Sequence, residues 1–252
     1  MIKDPSCSFE LPDKTLTSLP TGAVKDTVEH LGKCIARGDF PTGNILPKED
    51  ELVETLGVSR TVVREAVKVL CGKGLVRTAR RYGSRVCPFE EWNLLDPDVI
   101  RWHDQDSPHT ARLYAEATDL RLIFEPEAAA LAAVHASAEQ RKTIMKAAQS
   151  IHPDQGENVM IAADYAFHAT ILEASGNLML SQLQSLIYAV LFFSYMDGRK
   201  EEPEDRTTER RHIEVAEAIQ NGEAELARSR MRNMLSENKA IAESIVATKA
   251  PR

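Results

Sequence analysis

Two groups of residues in this chain have the types and spacing to do chemistry. Asp164 and His168 stand four positions apart, so on a helix both side chains leave the same face. Such a pair could share a divalent cation or hydrogen-bond to each other within a core. The apolar run around it, with Met160, Ile161, Phe167, Ile171 and Leu172, makes a lone carboxylate costly under either reading. His212, in a different segment, supplies a third imidazole. The second group is cationic. Between Ser59 and Val86 lie eight basic residues, Arg60, Arg64, Lys68, Lys73, Arg77, Arg80, Arg81 and Arg85, against one acid, Glu65. A positive island in a chain of formal net charge −7 points to a local polyanion-binding surface, because phosphate neutralisation with counterion release supplies most non-specific nucleic-acid affinity.

The elements that must position the basic residues follow in order. Residues 49–56 (EDELVETL) form a short helical pattern closed by Gly57, and Ser59 N-caps a second helix with an apolar stripe of Val62, Val63, Ala66, Val67 and Leu70. Gly72 and Gly74 break that helix; residues 75–78 and 84–86 read as short strands joined by Ala79, Arg80, Arg81, Tyr82 and Gly83. Helix, tight turn, helix and basic wing make a winged helix-turn-helix. In such a unit the first turn of the second helix enters the major groove, bringing Ser59, Arg60, Thr61 and Arg64 within reach of phosphates and base edges. An exposed basic helix with no nucleic-acid role is the plainer alternative; the compatible spacing of turn glycine, cap and wing speaks against it.

The run Ile45-Leu46-Pro47, Glu49, Glu51-Leu52, Leu56-Gly57-Val58-Ser59-Arg60-Thr61, Val63-Arg64-Glu65-Ala66, Leu70 and Gly74-Leu75-Val76 resembles the DNA-binding domain of GntR-family bacterial repressors, over roughly residues 20–87. The resemblance implies a homodimer on a short palindromic operator in double-stranded DNA. It places Arg60 and Arg64 as principal contacts, Thr61 on phosphate or base, and the wing tip (Arg81, Tyr82, Gly83) at the DNA, its glycine entering the minor groove. Asp50 departs from the pattern, since some relatives carry a DNA-contacting arginine there.

With 252 residues, 43% of them apolar and 27% charged, the chain is long enough for two ordinary soluble domains and is neither disordered nor fibrous. No apolar run approaches the ~20 residues needed to cross a bilayer, and the N-terminus has no apolar leader core, so the cytoplasm is the expected location and no membrane partner is expected. Cys7, Cys34, Cys71 and Cys87 are scattered singly, which reads as reduced thiols. Residues 1–90 hold 14 Lys and Arg against 12 Asp and Glu, whereas residues 91–252 hold 17 against 26. The acidic second part is repelled by DNA and suits another task.

The expected fold is mainly α: an N-terminal winged helix-turn-helix plus a C-terminal antiparallel all-helical bundle. Residues 1–19 read as an arm, 20–87 as the winged domain, 88–108 as a docked linker with a short helix at 98–105, and 109–252 as the helical domain. Its helices are expected at 109–136, 138–150, 157–174, from 177 to about 196, at 207–220, and from 223 to about 247, with an acidic loop at 198–205.

Residues 121–133, Asp164 with Phe167-His168, Ala174-Ser175-Gly176-Asn177, and His212 seven residues before Ile219 resemble the all-helical effector (FCD) domain of the FadR-like GntR subfamily, over roughly residues 109–240. The resemblance implies a divalent metal (zinc, nickel or manganese) held by an Asp and three His, which helps to bind a small carboxylate effector. Asp164, His168 and His212 fill three of those positions; the fourth is Met234, whose thioether is a poor ligand for such cations. Either water and effector complete a three-ligand site, or the polar groups bind effector directly. Arg121 suits a carboxylate because its guanidinium can grip it with two donors, with Glu125 one turn on to orient it and Asn177 as a further effector contact; an internal Arg121 to Glu125 pair without ligand is the alternative.

The linker run Trp92-Asn93-Leu94-Leu95-Asp96, with Asp98-Val99-Ile100-Arg101-Trp102, resembles that of galactonate-operon-type members. A ligand-responsive repressor of a sugar-acid catabolic operon is therefore expected, with lactate, amino-acid or uronate-type effectors as alternatives. A metal-dependent enzyme would need a base or nucleophile beside an open metal position. The sequence offers no GxSxG, HExxH or phosphate-cradling loop, so no catalytic residue is assigned.

Overall fold

The computed structural model describes residues 19–79, 83–104, 107–152, 157–197 and 207–249. The chain divides into two compact units, one over Lys14–Thr110 and one whose main part is Ala111–Arg252.

In the first unit, α1 (Ala23–Arg37) buries Val28, Leu31 and Ile35 against α3 (Arg60–Gly72), which offers Val63, Ala66 and Leu70 in return. Between them α2 (Glu49–Leu56) ends at Gly57, whose φ of 65° allows its N–H to return to the Val53 carbonyl. Two residues later Ser59 caps α3, its Oγ accepting from the Val62 N–H at 3.3 Å. A two-stranded antiparallel wing follows, β1 (Val76–Ala79) on β2 (Gly83–Val86), with Val76 opposite Val86 and Ala79 opposite Gly83.

The segment after the wing packs into this same unit. A short 3-10 turn (Phe89–Glu91) leads to α4 (Pro97–Arg101), shorter than the 98–105 expected; Asp96 caps it, accepting from Asp98 N–H and Val99 N–H. Lys73 does not belong to the DNA-facing charge in which composition placed it. It is buried at the end of α3, with Nζ 2.7 Å from Asp96 Oδ2 and 2.8 Å from Asp98 Oδ2. Asp98, fully buried, also meets Arg101, and the Trp102 ring lies 5.9 Å from Nζ. The fit is close enough that a Cβ on Gly32 would stand 2.4 Å from the Trp102 ring.

The second unit contains α5 (Thr110–His135), α6 (Ala138–Ser150), α7 (Glu157–Ala174), α8 (Leu178–Ser181), α9 (Gln184–Asp197), α10 (Thr207–Asn221) and α11 (Ala224–Lys249). The single helix expected from 177 to about 196 is thus two. No glycine or proline marks the break; Gln182 and Leu183 instead turn their N–H groups to carbonyls three residues back, a tightened turn that ends α8. Apolar on most sides, α7 is central: α6, α8 and α9 pack on it, α6 also packs on α10, and α10 on α11. Arg141 ties helix ends together by donating to the Ala133 carbonyl at 2.8 Å and the Gln220 carbonyl at 3.1 Å. No described helix is long and apolar enough to cross a membrane.

Removing one partner of a buried ion pair strands the other. Lys73→Met, which takes the shared cation from Asp96 and the fully buried Asp98, should therefore lower the stability of the winged unit by about 3 kcal/mol or more. Both tryptophans of the chain, Trp92 and Trp102, lie in that unit, so intrinsic fluorescence in urea isolates it; an unchanged midpoint would show that the pair contributes nothing.

Candidate functional site

Helices α5, α7 and α10 bring together five polar residues that the sequence offered for metal and effector binding. Arg121 and Glu125 lie one turn apart on α5, Asp164 and His168 one turn apart on α7, and His212 comes from α10; all are buried. Arg121 Nε donates to Glu125 Oε1. The other Glu125 oxygen, Oε2, is 2.6 Å from His168 Nδ1. His168 Nε2 then stands 3.3 Å from Asp164 Oδ1, and His212 Nε2 stands 3.4 Å from the same oxygen. Phe167 walls the two imidazoles, its centroid 5.0 Å from one and 4.8 Å from the other.

The donor set fits a divalent cation. His212 Nδ1 lies 2.7 Å from the Thr208 carbonyl, which can only accept, so Nδ1 carries a hydrogen and Nε2 is left for a ligand. Nε2 faces Asp164 Oδ1 at 3.4 Å without a hydrogen bond. Among the described residues Asp164, His168 and His212 form the one group of three potential ligands whose donor atoms lie within 4.8 Å of one another. Thr208 was missed in the sequence, although its position one turn before His212 is the signal for it. Met234, on α11, is buried and lines a cavity of about 240 Å³ between α10 and α11. Arg211 and Arg230 in that cavity pair with Glu237 and Glu214, and none of the five clustered residues lines it.

Burial pushes the Asp164 carboxyl up, but the imidazoles of His168 and His212 hold it well below the usual range. At Glu125 burial is likewise outweighed, by Arg121 and then His168, and the carboxyl falls to about 2. His168 moves the other way: burial lowers its pKa, yet the Glu125 charge prevails and raises it above the ordinary value. Arg121 keeps one unmet donor, a buried Nη2 without a hydrogen-bond partner. Asn177 stands apart. Exposed, it caps α8, and its hydrogen bonds run to Ser175, Met179, Leu180 and Ser181 and none to Arg121.

In the winged unit Ser59, Arg60, Thr61 and Arg64 are all exposed on the first turn of α3. Asp50 sits beside them, its Oδ1 2.7 Å from Arg60 Nη2, and Glu49 Oε1 lies 3.8 Å from Arg64 Nε. Such exposed pairs are weak and exchange readily for phosphate. Gly83 adopts φ 80° at the start of β2, whereas Arg81 and Tyr82 lie outside the described residues.

Comparison with known proteins matches residues 23–86 to bacterial regulatory proteins of the gntR family and residues 116–237 to the FCD domain. The galactonate operon transcriptional repressor of Escherichia coli is 30% identical over 211 residues, 82% of this chain and 90% of the relative. The chain belongs to the GntR family. A second relative, the E. coli HTH-type transcriptional regulator YieP, is 37% identical over 169 residues, covering 64% of this chain and 71% of its own. The fold agrees with the solved structure of Lar, which controls expression of the Listeria monocytogenes agr system: TM-score 0.62 at 19% identity, over 89% of this chain and 98% of that one. This GntR member is a DNA-binding transcriptional regulator with an FCD effector domain, and it is mainly α with a small wing sheet.

The cluster sets a pH dependence. Asp164 and Glu125 ionise more readily folded than unfolded, so the stability they contribute is complete above their unfolded values near 4 and is lost as pH falls through their lowered folded values, about 2 for Glu125. His168, with its folded value raised, contributes fully below its unfolded value near 6.5 and less as pH rises through the folded one. Urea midpoints of chelator-treated protein should fall in both directions, and Asp164→Asn should flatten the acid side; a parent profile already flat there would contradict the assignment.

Proposed function

We propose that the chain is a cytoplasmic repressor that binds a palindromic operator as a homodimer and is released by a small carboxylate, a sugar acid of the galactonate or gluconate type. The observation that carries the effector reading is the buried Nη2 of Arg121. An unmet guanidinium donor out of water is costly, and a ligand carboxylate satisfies it with a charge-assisted bond. Glu125 holds the Nε edge of the same guanidinium and so directs the other edge. The relative named for the galactonate operon supports a sugar acid; lactate, amino-acid or uronate-type acids are the alternatives at the same site.

A divalent cation on Asp164, His168 and His212 would supply a Lewis-acidic point for an effector oxygen. On the DNA, Arg60 and Arg64 read base edges, Ser59 and Thr61 position the backbone, and Arg81, Tyr82 and Gly83 approach the minor groove. Residues 20–87 carry this task, 88–108 join it to the rest, and 109–252 bind effector and pair the protomers. Exposed Leu120, Ile123 and Val134 along α5 support a dimer face. Effector changes the pairing with DNA only by binding one arrangement of the winged domains more tightly than another. Catalysis has no part in this reading, and turnover of the acids would count against it.

Genomic fragments selected by the protein give the assay. D-galactonate and D-gluconate should release the parent from such DNA, while Arg121→Ala keeps its DNA affinity within about twofold and no longer responds, as loss of one buried charge-assisted contact predicts. Release undiminished in the variant would refute the assignment of Arg121.

A further inference from the structure

Glu125 does more than neutralise Arg121. Its second oxygen, Oε2, stands 2.6 Å from His168 Nδ1, too close for two lone pairs to face each other. An ionised carboxylate can only accept, so the hydrogen must be on Nδ1, even though the N–H direction is oblique to the line between the atoms. We infer that Glu125 is a positioning residue for His168: it holds the imidazole hydrogen on Nδ1 and turns Nε2 towards Asp164, where a divalent cation would take it. The inference rests on reading Asp164, His168 and His212 as a cation site, and it assigns the fourth acid or imidazole of the cluster a task other than ligation.

The two imidazoles are then held alike. Each presents an Nδ1 hydrogen to an oxygen outside the ligand set, Glu125 for His168 and the Thr208 carbonyl for His212. Each turns Nε2 to the same Asp164 oxygen, at 3.3 Å and 3.4 Å. Outer partners that fix a ligand's tautomer commonly change metal affinity by about 10- to 100-fold. Glu125 is also the residue through which the cluster reaches Arg121, so one carboxylate serves both the cation and the anion ends.

Glu125→Gln keeps the size and removes the requirement. With the amide oxygen on Arg121, its NH2 faces Nδ1, which must then accept, and the hydrogen moves to Nε2. Two-bond 15N–1H spectra of histidine-labelled, metal-free full chain, recorded at a pH above the raised His168 value where the ring is neutral, read this directly, with His168→Gln assigning the signal. The parent should show a protonated Nδ1 on His168 and Glu125→Gln an unprotonated one, while Glu125→Asp restores the parent pattern. Zinc titration against a chromophoric chelator should show Glu125→Gln about 10- to 100-fold weaker than the parent. An Nδ1 without hydrogen in the parent overturns the inference whatever the variants do, as does an unchanged tautomer and zinc affinity in Glu125→Gln. A parent that binds no zinc, with the hydrogen still governed by Glu125, removes the cation reading and leaves the positioning role standing.

Discussion

Five polar side chains meet out of water between α5, α7 and α10, and each is tolerable only because of the next. An isolated buried carboxylate or guanidinium costs several kcal/mol to desolvate, so the order Arg121, Glu125, His168, Asp164, His212, in which each carboxylate stands between a guanidinium or imidazole on either side, is the condition for burying any of them. The compensation is incomplete. Arg121 Nη2 and His212 Nε2, at the two ends, have no hydrogen-bond partner, and between them Glu125 Oε2 and His168 Nδ1 are close without hydrogen-bond geometry. The Arg121 end suits an anion and the His212 end a cation.

The winged unit buries an ion cluster by the same physics and to a different end. Lys73, Asp96, Asp98 and Arg101 bind the segment after the wing to the base of α3. The segment after the wing is thereby tied to the helix that carries Arg60 and Arg64.

Local features were legible in the sequence because they are set by neighbours a few residues away. Gly57 and Ser59 mark the turn and cap by residue type alone, and Asp164 and His168 share a face by their spacing. His212 lies in another segment, and the resemblance to the FCD domain, not spacing, joined it to them. What spacing cannot reveal is contact between distant segments: Lys73 counted as surface charge until the linker acids closed over it, and nothing in α5 or α7 announces that Glu125 meets His168. Asn177 shows the opposite case, since its residue type serves a helix cap as well as a ligand, and in the structure it caps α8. The break between α8 and α9 has no breaker residue and was invisible.

The central claim is that the cluster recognises a carboxylate rather than a polyol. Thermal unfolding of the zinc-supplemented full chain with D-galactonate and with neutral D-galactose tests it most directly. Saturating acid at about 100 times Kd should stabilise by about 2.7 kcal/mol, a clear rise in Tm, while the neutral sugar leaves Tm unchanged. Equal shifts with both, or a shift with the neutral sugar alone, would contradict it.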